Sequence, residues 1–219
     1  MPQAIAHNGK NKSSYSLSVI WNTIRHGLFF QGLRHALAKI GIDIMPYYWV
    51  AEEVRPSDKP VLRSESDDFE FTSLNEAQVQ SLLNASDHLN QEKINISIAD
   101  GQECIGLIQN GTVAAYMFIK YDDLTFKNKL FRINSDEAYL LNMYTFDDFR
   151  GKNLAPYLRY LSYRYLNDKG IHKKYSISNY FNKSAIRFKE KLNSRHLKLY
   201  MNIELFKKFQ WHFMLRRFK

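Results

Sequence analysis

The chain has 219 residues, a single cysteine, 15% aromatic residues and a formal net charge of +9. The aromatic content excludes a disordered polymer, and the lone Cys104 excludes an internal disulfide and any multi-cysteine metal site. The length allows one domain with a sizeable core plus an appendage.

The charge is unevenly spread. Residues 1–64 carry +4, residues 65–149 carry −10 and residues 150–219 carry +15. A basic last third suits a nucleotide-bearing cofactor, an anionic membrane or a nucleic acid. The seven histidines show no metal-ligand spacing, so no metal site is expected.

Residues 1–16 are polar, and no apolar signal-peptide core follows a basic start. With one cysteine, the expected location is the reducing cytoplasm. Residues 17–40 read as an amphipathic helix in which Leu17, Ile20, Trp21, Ile24, Leu28, Leu33, Leu37 and Ile40 recur at helical spacing. Arg25, Arg34 and Lys39 count against reading it as a transmembrane span. Two readings stay open: packing on the main domain or on a second copy of the chain in a homodimer, or a peripheral contact with a membrane surface. Residues 42–54 look extended, and Pro46 points to an edge or irregular strand. Residues 55–68, with Pro56 and Pro60, read as a linker. The sequence thus divides into an N-terminal extension, 1–64, and a domain, 65–219.

That domain reads as mixed α/β. A strand over 69–74 leads to a helix opened by Asn75 and a second short helix near 88–97. Strands 103–109 and 112–120 flank Asn110-Gly111, a strong hairpin signal. A polar loop over 127–136 precedes a strand over 138–145. A helix follows over 154–167, with Leu154, Leu158, Leu161 and Tyr165 as its apolar stripe. Strand 174–178, a basic helix over 184–192 and strands 196–206 and 208–216 complete the order.

The turn from strand 138–145 into helix 154–167 carries Arg150-Gly-Lys-Asn-Leu-Ala155. A strand-to-helix corner aims unpaired N–H groups and the positive end of the helix dipole at one spot, which suits a pyrophosphate. Arg150 and Lys152 add charge there, and Gly151 permits close backbone approach.

This corner resembles the acyl-CoA-binding turn of the GCN5-related N-acetyltransferase (GNAT) superfamily, whose pattern is Gln/Arg-x-x-Gly-x-Gly/Ala. Asn153 stands where the family has its central glycine. Asn182-Lys-Ser-Ala185 and Glu190-Lys-Leu192 resemble the family's late helix, with Lys189 in place of a tyrosine that often protonates the departing thiolate. The element order over residues 69–216 is also the family's. The resemblance implies a central mixed, mostly antiparallel sheet flanked by helices, preceded by an N-terminal amphipathic helical extension. It implies an enzyme that moves an acetyl group from acetyl-CoA to a primary amine. By the same resemblance, Arg150, Gly151, Lys152, Asn153, Leu154 and Ala155 hold the pyrophosphate. Met143, Tyr144 and Thr145 pair with the pantetheine arm, and Asn182 contacts the cofactor or splays the strands, unless it only caps a helix.

The attacking amine must be neutral, so a base is needed. The carboxylates nearest in sequence are Glu137, Asp147 and Asp148, although the aspartates suit a helix cap or a partner for Arg150 equally well. Tyr180 and Tyr144 are candidate acids. The acidic middle segment suits a cationic amine, whereas the basic last third and the amphipathic helix suit an anionic acceptor; the balance leans toward a small molecule or envelope precursor over a protein tail. The rival class is a GNAT-like protein that binds CoA or a partner without turnover. A third reading, single-stranded nucleic acid on Tyr157, Tyr160, Tyr163, Trp211 and Phe213, is disfavoured because many of these rings fall at expected core positions.

Overall fold

The computed structural model describes residues 28–63, 68–85 and 88–219. Residues 17–27 of the expected N-terminal helix lie outside them. The described part of that helix, α1, spans Leu28–Lys39 and stops at Gly41. It is followed by β1 (Ile42–Glu52), β2 (Glu70–Ser73), α2 (Glu76–Ala85) and α3 (His88–Ala99). Then come β3 (Glu103–Gln109), β4 (Thr112–Lys120), β5 (Leu124–Phe126), β6 (Lys129–Phe131) and β7 (Glu137–Thr145). After a 3-10 turn the chain forms α4 (Leu154–Asp168), β8 (Lys173–Asn179), α5 (Lys183–Lys191), β9 (Arg195–Leu205) and β10 (Phe209–Arg217). Among the described residues no helix is long and apolar enough to cross a membrane.

Eight strands form one sheet in the order β10-β9-β1-β8-β7-β4-β3-β2. All neighbours are antiparallel except β7 and β8. This is the mixed, mostly antiparallel sheet flanked by helices that the resemblance implied. The turn chemistry explains the local starts and stops. Asn75 accepts from the Gln78 backbone N–H and Gln78 returns the bond, a reciprocal helix cap. Asn110 and Gly111 both take positive φ, as a tight hairpin turn needs.

Two expectations are corrected. The polar stretch 127–136 is not all loop: β5 and β6 pair as a small hairpin around Lys127 and Asn128, both at positive φ. Residues 42–54 do not lie at an edge either. β1 sits inside the sheet, with β8 on one side and β9 on the other. Pro46 is tolerated because its ring nitrogen faces the β8 side just beyond that strand's last residue, Asn179; its carbonyl accepts from the Tyr180 N–H there. β1 therefore belongs to the same sheet as the strands after residue 65.

Three apolar clusters hold the layers together. α4 packs on one face against Ile105, Leu107, Met117 and Leu140 through Leu154, Leu158, Tyr163 and Leu166. The buried stripe of α4 is wider than the leucine pattern and includes Tyr157, Arg159 and Ser162, while Leu161 and Tyr165 are only partly buried. On the other face α2 and α3 bury Leu82 and Ile94 against Tyr116 and Phe118. The β5–β6 hairpin covers the other half of that face, where Trp49 stacks between Phe131 and Tyr175. Gly106 of β3 is closely surrounded: an added Cβ would stand 3.0 Å from the Ala115 carbonyl oxygen of β4 and 3.1 Å from the Leu74 side chain. Gly106→Ala is expected to destabilise the fold by about 1–3 kcal/mol, seen as a lower urea midpoint at unchanged slope.

Candidate active site

β7 and β8 run parallel and pair only at Glu137–Lys173, Ala138–Lys174 and Tyr139–Tyr175. Beyond that point they part. β7 keeps β4 as its partner through Thr145, and β8 keeps β1 through Asn179. Among the described residues, the facing edges of residues 140–145 and 176–179 are thus left without strand partners, and a wedge-shaped notch opens between them. A bulge at Asn142, at positive φ, lies on the β7 arm, and its side-chain amide donates to Ser97 Oγ at 2.9 Å. Bulges of this kind re-aim the backbone beside a site.

The corner expected from the sequence stands at the mouth of the notch, where β7 ends. The chain passes through the 3-10 turn Asp147–Phe149, then Gly151 at φ 84° and Asn153 at φ 66°, and enters α4. Gly151 has open space around its Cβ direction, so the backbone conformation rather than crowding calls for glycine. Asn153 adopts the left-handed conformation, at the position where the resembled pattern has a glycine. Its side chain does not cap α4 but donates to the Val61 carbonyl at 2.7 Å. The first turn of the helix is left without a side-chain cap, the state in which it suits an anion.

Arg150 pairs with Asp147 at 2.7 Å and lies over the Tyr144 ring. Asp147 is thus the ion-pair partner of the corner arginine, on the surface, and Asp148 is exposed beside it. Tyr180 and Asn182 follow β8, and because β7 and β8 are parallel they fall at the same open end as the corner. Asn182 Oδ1 caps α5 by accepting from Ala185 N–H at 3.1 Å. Tyr180 packs against Tyr48 and is partly exposed. Glu137 lies at the closed end. It is buried, accepts from Asn134 at 3.0 Å and from the Tyr175 hydroxyl at 3.2 Å, and lines a small cavity under the β5–β6 hairpin with Trp49 and Tyr200. The structure thus gathers the corner, Tyr180 and Asn182, and sets Glu137 apart.

A pocket of about 1080 Å³ joins Asn153 of the corner to Asn182 and α5. Lys59, Arg63, Lys183, Arg187 and Lys191 line it, with Asp58 and Glu190 as counter-charges. Its outer wall, Asp58 to Arg63, comes from the stretch 55–68 that the sequence presented as a linker. Residues 54–63 form a strap: Val54 N–H donates to Asn193, Asn193 Nδ2 donates to Pro56, and Arg63 N–H donates to the Lys152 carbonyl.

The sequence did not show what lies behind the β8 arm. Glu52 of β1, Arg159 of α4 and Lys189 of α5 are all buried and meet there. Lys189 Nζ donates to Ser176 Oγ at 2.7 Å and Ser178 Oγ at 2.9 Å and lies 3.3 Å from Glu52. Glu52 also accepts from the Ser176 and Tyr163 hydroxyls. Arg159 Nη1 stands 3.9 Å from Glu52, and its Nε and Nη1 find no hydrogen-bond partner among the described residues. Burial opposes the charge on Glu52, yet Arg159, Lys189 and the two hydroxyls outweigh it and hold the carboxyl at about 2. Burial pushes Lys189 down to about 8, with Glu52 opposing and Arg159 reinforcing the shift. Two cations and one carboxylate leave a net positive charge beside the notch. The only sequence signal is Ser176-Ile-Ser178, two small hydroxyls on one face of a strand.

No family model and no curated protein matches the sequence. Solved structures do. A GNAT-family acetyltransferase from Colwellia psychrerythraea superposes with a TM-score of 0.54 at 10% identity, over 81% of this chain and 62% of that one. The GCN5-related N-acetyltransferase from Sphaerobacter thermophilus gives 0.51 at 8% identity, over 93% and 58%. A GCN5-related glucosamine N-acetyltransferase region in a fungal multi-domain β-N-acetylglucosaminidase gives 0.52 at 12% identity, over 84% and 23%. The chain spans less than two thirds of the length of each. These neighbours define the architecture as an acyltransferase fold. It is the fold of the GCN5-related N-acetyltransferases.

Proposed function

We propose that the chain is an acetyl-CoA-dependent N-acetyltransferase acting on a primary amine of a small molecule or envelope precursor. The observation that carries this reading is the notch between β7 and β8 with the uncapped start of α4 at its mouth. An extended thioester arm fits the unpaired edge of Met143, Tyr144 and Thr145 as an added strand does. The pyrophosphate then meets the backbone of residues 150–155, with Arg150 and Lys152 beside it, and Asn182 lies across the pocket.

The neutral amine attacks the thioester carbonyl carbon, the C–S bond breaks, and the sulfur leaves as a thiolate that must be stabilised or protonated. Tyr180, at the open end, is the proposed proton donor. The Lys189–Arg159 cations stabilise the negative charge as it develops. Asp147, on the corner's side, is the proposed base, since Glu137 is set apart at the closed end. The proposed location is the cytoplasm, with residues 17–40 as a peripheral contact.

A second reading rests on Lys189. All three donors of its ammonium face acceptors, Ser176, Ser178 and Glu52, so it is held as a strut rather than left free like a terminal phenol. In that case the protein binds CoA without turnover.

Calorimetry with acetyl-CoA tests the site. Binding in roughly the micromolar range is expected, with a loss of about tenfold or more in both Arg150→Ala and Gly151→Trp, the latter because a side chain is strained at φ 84°. No heat in the wild type would sink the reading. Free thiol released over a panel of amines separates the enzyme from the binder.

A further inference from the structure

The last strands carry a surface unrelated to the notch. β10 is an edge strand, and Phe206, Phe209, Trp211 and Phe213 are between 44% and 67% exposed. Phe209, Trp211 and Phe213 alternate, so they share one face, opposite Leu205, Ile203 and Met201 of β9. Ile44 of β1, also exposed, continues that face. Met214 and Leu215 expose apolar surface near the far end of the same strand. Lys207 and Lys208 sit exposed at the turn, and Arg216, Arg217 and Lys219 at the opposite end. Residues 205–219 contain no Asp or Glu.

We infer that the β9–β10 hairpin is a docking surface for an anionic lipid bilayer, with the aromatic rings seated at the headgroup level and the flanking cations on the lipid phosphates. Exposed Trp and Phe rimmed by Lys and Arg are the chemistry of a membrane interface. The charge distribution argues against a second copy of the chain as the occupant. Two such edges brought together would juxtapose two sets of cations with no carboxylate in either strand to answer them, and basic edge strands resist pairing. A single-stranded nucleic acid would satisfy the cations and rings but would leave Ile44 and Leu215 against a polar backbone.

The test is partition of the full-length protein onto vesicles of equimolar phosphatidylglycerol and phosphatidylcholine, and onto pure phosphatidylcholine. Binding to the anionic vesicles is expected to be about tenfold or more tighter and to weaken with salt. In a Trp21→Phe background the emission should shift to the blue on binding. Trp211 is the exposed reporter, and Trp49 is already buried. Trp211→Ser with Phe213→Ser, and separately Lys207→Glu with Lys208→Glu, should each reduce partition about tenfold without changing the thermal midpoint, since these groups are exposed in the fold. Three results would overturn the inference: no partition onto anionic vesicles, undiminished partition in the variants (which would locate the contact elsewhere, residues 17–40 included), or Trp211-dependent dimers or oligonucleotide complexes in place of vesicle binding.

Discussion

Glu52→Gln is expected to destabilise the protein by about 3–5 kcal/mol. The substitution keeps the shape and removes the one negative charge that the buried Arg159 and Lys189 share. For a chain of this size that is a fall in melting midpoint of roughly 6–20 °C. A second substitution should restore part of the loss: with Lys189→Met added, only Arg159 is left uncompensated, and the two effects should add to less than their sum. The acid limb of stability should change as well. Because the Glu52 carboxyl is held at about 2, below its ordinary 4.5, its contribution is complete above pH 4.5 and is lost as pH falls toward 2. The variant's stability should therefore fall less steeply than the wild type's across that window. Equal melting midpoints for wild type and Glu52→Gln would contradict the account of the cluster.

Lys189→Met is the second large effect, and it concerns turnover. If the buried cations stabilise the departing thiolate, kcat should drop about a hundredfold while the KM for acetyl-CoA moves little, because the lost interaction exists only as charge develops. The pH profile supplies a readout that a purely structural role would not move. Lys189 is held near 8, so its positive charge, and the activity that depends on it, should decline as pH rises through 8. In Lys189→Met that decline should vanish. A variant with wild-type kcat and an unchanged alkaline limb would leave Lys189 as a strut, and the binder reading would take precedence.

The local architecture was largely legible because its signals are local. Asn110-Gly111 fixes a hairpin by itself, Asn75 and Gln78 cap a helix within four residues, and the Arg150-to-Ala155 turn needs only its own backbone. Asn153 was the departure from the family pattern, and its φ of 66° shows why it is accommodated: an asparagine reaches the glycine conformation. The position of β1 was not legible, since no residue in 42–54 says which strands will flank it. Pro46 was misleading for a definable reason: the rule about proline concerns the missing N–H, and here that nitrogen faces a place where the neighbouring strand has ended. The ionic cluster was hidden because glutamate, arginine and lysine read as solvated in any pattern. Lys189 looked like the loss of a tyrosine, and its partner Glu52 lay in the stretch assigned to an extension.

The place of β1 has a consequence for synthesis. Glu52 and Ser176 touch yet are 124 residues apart, and both sheet neighbours of β1 are made long after it. At ordinary elongation rates β1 waits on the order of ten seconds with two unpaired backbone edges before β8 and then β9 emerge. During that interval the nascent chain can form the β2–β3–β4–β7 half of the sheet with α2 and α3. The other half, with the cluster behind the notch, closes only after β8, α5 and β9 have been made, so the candidate site forms later than the β2–β3–β4–β7 half.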